Sequence, residues 1–165
     1  MAIHTDRSRI LGLISAFLAE IGISVSMGPV SADSFLPGIE IIKGGIVYDP
    51  EKLFYPGDLL HEAGHIALLP GEHRNKVSGN MKEQSFTDGG EEIAVMLWSY
   101  AACLSIGLPP VVVFHADGYK GQSEWILEQY AAGTFIGLPL LQWMQLCNPQ
   151  GVEPAFPVMI KWLRD

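Results

Sequence analysis

The sequence predicts a single, mainly helical α+β domain with a small antiparallel sheet near its start. Three observations lead there. The chain has 165 residues, enough for one domain to bury its own core without staples. Apolar residues recur at helical spacing over most of its length, while strand-like character is confined to one stretch, "IEIIKGGIVYD". No internal repeat, low-complexity tract or long linker divides the chain.

The elements follow in order. Ile10, Ile14, Phe17, Leu18 and Ile21 share one helical face, which predicts a helix over residues 7–22. Basic residues precede this apolar run as in an export leader, but Glu20 interrupts it, so it reads as the first helix of the fold. "SMGPVSADSFLPG" is a connection rich in turn formers. Two short strands then flank Gly44-Gly45, read as the turn pair of a hairpin. Pro56 or Asp58 opens the helix that carries "DLLHEAGHIALLP". Residues 69–90 are polar and glycine-rich, a loop. "EEIAVMLWSYAACLSIG" is a second apolar helix, stopped by Gly107 and Pro109-Pro110. "VVVFH" reads as a short extended piece. "QSEWILEQYAAG" and "LPLLQWMQLC" read as helices, and "PAFPVMIKWLR" as a short terminal one. Trp98, Tyr100, Trp125 and Trp143 fall at helical spacing among Leu and Ile, the pattern of core packing.

Composition narrows the function classes. The net charge is −8, from 10 basic and 18 acidic residues, and no Lys/Arg cluster exceeds a pair. A footprint for tracking phosphates is therefore missing, and nucleic acid is not an expected ligand. Charged residues make up only 17% of the chain, against about 25% in average proteins. Such apolar excess implies a tight core or a surface covered by a partner, a second copy in a homo-oligomer included. No later stretch of 18 uncharged apolar residues exists, so no membrane span is expected and the chain reads as cytoplasmic. Cys103 and Cys147 lie in apolar segments without CxxC spacing and read as buried free thiols.

The chemistry concentrates in "HEAGH". On a helix His61 and His65 are one turn apart and project from one face. Two imidazoles so placed can bind one metal ion through ring nitrogens at about 2.0–2.1 Å. Glu62, about 100° round from His61, stands beside that ion and can take a proton from a water the ion activates. Ala63 and Gly64 are small enough to admit a close neighbour. The competing reading is a buried helix whose histidines hydrogen-bond to neighbours. Burying two imidazoles and a carboxylate together with no ion would be costly.

Through "HEAGH" in "LLHEAGHIAL" the chain resembles the zincin metallopeptidases. The resemblance implies a zincin-like single domain and a zinc-dependent hydrolase acting on a peptide or protein substrate. In such enzymes the two histidines bind zinc, the glutamate is base and proton shuttle, and a third protein ligand follows. The metzincin extension is absent, because position 68 is Leu and position 71 is Gly. That leaves a gluzincin-like arrangement, with a glutamate from a later helix, and "DGGEEIAVMLWSYAA" offers one. Asp88 and Glu91 have the spacing of a capping box, which gives Glu91 a structural task. Glu92 is then the preferred ligand, its face continuing through Val95, Met96 and Ser99. Both glutamates could instead be solvated acids complementing the helix dipole. The thermolysin-like Asp four residues after the ligand is replaced by Met96, or by Val95 if Glu91 is the ligand. Support for the histidines must therefore come from elsewhere.

His115 and Tyr119 follow the extended piece on a loop. Either could stabilise the oxyanion of a tetrahedral intermediate, as a His or Tyr often does in zincins, and His115 could alternatively be the third ligand. A loop histidine and a packed tyrosine are the plainer readings. His73, in "GEHRNK", reads as solvated. "GGIVYD" stands where a zincin cleft has its upper edge strand, to which an extended peptide adds. Two functions of different class remain beside the peptidase: a metal-binding regulatory or interaction domain of the same fold, and a metallohydrolase of small amides.

Overall fold

The structure, a computed structural model, describes residues 2–80 and 90–165. Its six α-helices and three short strands make the mainly helical α+β domain the sequence predicts. Helix α1 (Ala2–Ile21) buries Ile14, Phe17 and Leu18, the stripe read from its periodicity. The chain reverses at Gly22 and enters β1 (Val25–Met27). Strands β2 (Ile39–Ile42) and β3 (Gly45–Tyr48) form the expected hairpin, with Ile42 opposite Gly45. The turn sits one residue earlier than expected. Lys43 and Gly44 both take positive φ, 48° and 74°, as a two-residue hairpin turn of this hand requires, and Gly45 already belongs to β3.

The sheet is mixed, not antiparallel. Its order is β1-β3-β2, and β1 runs parallel to β3, Val25 opposite Ile46. Three residues are too few to show alternation against the turn formers that follow them. β3 is thus the central strand, hydrogen-bonded on both sides, and offers no free edge for a peptide. The segment "GGIVYD" is not a cleft edge strand. The outer side of β2 is itself partly covered, since Gly79 N–H donates to Ile41 O at 2.9 Å.

Helices α2 (Asp58–Ala67) and α4 (Gly90–Ser105) form the heart of the domain. Leu59, Leu60, Ala63, Ile66 and Ala67 of α2 pack in the core with Ala94, Val95, Leu97 and Trp98 of α4. At Gly64 α4 packs directly onto the α2 backbone. A Cβ there would lie 3.0 Å from Val95 Cγ1 and 3.2 Å from the Trp98 ring, tighter than ordinary contacts. A short helix, α3 (Gly71–Arg74), lies in the segment expected to be loop. Residues 81–89, with Asp88 of the expected capping box, lie outside the described residues.

Two further expectations need correction. "VVVFH" is not extended; residues 110–112 form a 3-10 turn, started by Pro110, whose fixed φ suits the first position of a helical turn. The C-terminal "PAFPVMIKWLR" is not a helix, since Pro157 removes an N–H and disfavours helical geometry in the residue before it. That segment instead closes the end of α2: Arg164 N–H donates to Ala67 O at 2.9 Å, and Trp98 Nε1–H donates to Trp162 O at 3.0 Å. Helices α5 (Ser123–Ala131) and α6 (Leu138–Trp143) stand where expected. Trp98 is in the core, but Trp125 and Trp143 are 50% and 67% exposed. Trp143 ends a helix of only six residues and lies under Arg164. Both cysteines are buried free thiols. Burial pushes the Cys103 thiol up to about 12, so it is unreactive. Among the described residues, no helix is long and apolar enough to cross a membrane.

Candidate metal centre

One turn of α2 and the first turn of α4 meet at a polar point inside this apolar packing. The contrast with its surroundings is sharp: Glu62 is 1% and His65 3% exposed, among leucines and alanines that are fully buried. His61 and His65 project from one face, their rings 5.0 Å apart and near perpendicular. Glu92 reaches both. Its two carboxylate oxygens lie 3.2 Å from His61 Nε2 and 3.2 Å from His65 Nε2. The face of α4 below it carries Val95 and Ser99 against Gly64, so the close approach at that glycine brings the glutamate to the histidines.

The spacing bears on what the three residues hold. A charge-assisted N–H···O bond is usually about 2.7–2.9 Å long. Donors about 2.0–2.1 Å from one tetrahedral ion are instead about 3.3 Å from each other. The two separations of 3.2 Å fit the second arrangement better. All three residues offer a ligand atom within 4.8 Å of the others. His65 Nε2 is buried and, although 3.2 Å from Glu92 Oε2, falls short of hydrogen-bond geometry, so a buried polar atom aims at the common point. Two imidazoles and a carboxylate, one face open to a cleft, fit a divalent ion such as Zn2+.

Electrostatics agree. Burial alone would push the Glu92 carboxyl up, but the adjoining His61 and His65 outweigh it and hold it well below the usual carboxylate range. The anionic form of Glu92 is thus favoured beside the two histidines. Glu91, its neighbour, lines the same cleft.

The remaining candidates sit around this point. Tyr119 places its hydroxyl 2.9 Å from His61 Nδ1, on the far side of the ring from Glu92. This is the support for a histidine that the sequence could not locate. His115 is not among the three. Its Nε2 pairs with Asp58 Oδ1 at 3.0 Å, its ring stacks on Tyr55 at 3.6 Å, and its Nδ1 is buried. His73 lies on α3, 3.3 Å from Glu72. Sequence reading missed Asp58, although it lies one helical turn before His61, a spacing that puts both on one face.

The three converging residues, Glu62, Asp58, His115 and Tyr119, but not His73, line one cleft of about 970 Å³. Its polar floor is bordered by apolar side chains from separate segments: Phe35, Leu36 and Phe54 before α2, and Ile93, Trp125 and Ile136 after it. Phe54 is 72% and Ile136 45% exposed, so large apolar groups stand open to whatever the cleft receives. No protein-family model, curated protein or solved structure matches this chain.

Proposed function

We propose that this protein is a zinc-dependent hydrolase of peptide bonds, of the zincin type that "HEAGH" resembles. The observation that carries the reading is the convergence of His61 Nε2, His65 Nε2 and the Glu92 carboxylate at separations of 3.2 Å. These three residues would hold the ion, which when bound supplies Lewis acidity to polarise a carbonyl and acidify water.

The chain's own residues supply the rest. Glu62 follows His61 directly, lines the cleft and is almost wholly buried. It accepts the proton of the attacking water and returns it to the leaving amine. Tyr119 accepts from His61 Nδ1–H while its own O–H remains available to the cleft. Burial, with Glu92 and Asp58 nearby, pushes its ionisation far up, so the phenol stays neutral behind the His61 ring. The exposed apolar walls suit an extended peptide with large apolar side chains.

The test pairs metal content with proteolysis. Protein purified without added metal should carry one zinc per chain and cleave an apolar, unstructured polypeptide such as casein. Glu62→Gln should keep the zinc and lose the cleavage, because an amide cannot accept the proton. Cleavage that survives in Glu62→Gln removes the mechanism. Zinc retained with no cleavage in the native protein favours a metal-binding domain that does not hydrolyse peptides.

A further inference from the structure

We propose that Tyr119 is a positioning residue for the metal centre: from outside the donor set, its hydroxyl holds the His61 imidazole in the tautomer and orientation that turn Nε2 toward His65 and Glu92. The inference rests on the metal reading above and deepens it. An imidazole presents one lone pair, and the partner of its other nitrogen decides which nitrogen carries it. Here Nδ1 has the Tyr119 hydroxyl at 2.9 Å, and Nε2 faces the carboxylate. With Nδ1–H donating to the phenol oxygen, the Nε2 lone pair is left on the ligand side.

Independent features hold the hydroxyl in place. The Tyr119 ring stacks on buried Phe114, 5.0 Å between centroids, and meets the His61 ring edge-on at 5.7 Å. Its backbone is left-handed, φ 53°, as is that of Lys120 at 55°, before Gly121 at 78°. Two successive non-glycine residues in that region are strained, and such strain persists where the surroundings over-determine it and clusters at functional sites. The segment is tied at both ends. His115 Nε2 is bonded to Asp58, which lies on the helix of the ligands, and Ser123 Oγ–H donates to His115 O at 2.7 Å. The strap therefore moves with α2, and Tyr119 keeps its place over His61.

The experiment measures zinc affinity by competition with a chromophoric chelator, in the native protein, Tyr119→Phe and Tyr130→Phe. Tyr119→Phe keeps the ring on Phe114 and removes only the hydroxyl. Its zinc affinity should fall about 10–100-fold, the range for losing a partner of a metal-bound histidine. Tyr130 is a control, buried and edge-on to Phe114 without a contact to His61 among the described ring pairs and hydrogen bonds, and its variant should bind as the native protein does. Native zinc affinity in Tyr119→Phe, or an equal loss in Tyr130→Phe, overturns the inference and leaves the metal reading standing. A native protein that takes up no zinc overturns both.

Discussion

Two histidine–carboxylate groupings line the same cleft, and they are built differently. In the first, His61 and His65 share Glu92, each Nε2 standing 3.2 Å from one of its carboxylate oxygens. In the second, His115 makes one 3.0 Å hydrogen bond to Asp58 and lies flat on Tyr55. The first converges on a point and the second pairs across a line. The buried Nδ1 of His115 also lacks a hydrogen-bond partner, but it stands alone, whereas the first grouping brings three ligand atoms within 4.8 Å of one another. Residue type alone does not distinguish the two, since both are a histidine and a carboxylate from distant parts of the chain. What differs is how many donors meet and how far apart they stand.

The largest expected effect breaks the first grouping. His61→Ala, His65→Ala and Glu92→Ala should each abolish tight zinc binding, because two protein ligands rarely hold zinc at a site open to water. Zinc stoichiometry unchanged in all three variants would sink the metal centre. Glu91→Ala is the matching control and should leave stoichiometry as it was.

A smaller effect is expected at the second grouping. His115→Gln removes a partly buried hydrogen bond and a ring stack, and should cost about 1 kcal/mol of stability. In a domain of this size that lowers the melting temperature by about 2–4 °C. Zinc stoichiometry should not change. Loss of the metal in this variant would make His115 a ligand and collapse the distinction between the groupings.

The smallest effect is expected from chelation. The core on which α2 and α4 meet is apolar and continuous, so removing the ion should leave far-UV circular dichroism nearly as it was. A spectrum that collapses would show that the ion holds the fold together.

Much of the helical framework was legible because burial imposes a period. The stripe from Ile10 to Ile21, the small Ala63-Gly64 pair and the apolar run from Ile93 to Cys103 each state what they pack against. Elements below about four residues were not legible. β1 exists because β3 is there to pair with it, and Pro110 starts a 3-10 turn in residues whose composition suits a strand. Trp125 shows the limit of periodicity in another way. It falls at helical spacing, but only the arrangement of α5 beside the cleft exposes it.

By itself the sequence determined that His61 and His65 share a face with Glu62 beside them, because three and four residues along a helix are local geometry. It also offered Glu92 ahead of Glu91, with His115 as the alternative, to complete the group. Tertiary structure alone decided the rest. Glu92 reaches the histidines because α4 crosses α2 at Gly64, and Tyr119 reaches His61 from 58 positions away along a strained turn. His115, the lower-ranked alternative by sequence, pairs through Nε2 with Asp58 instead. Contacts between distant segments depend on how whole helices pack, and packing is a property of many side chains at once, which no spacing within one segment encodes.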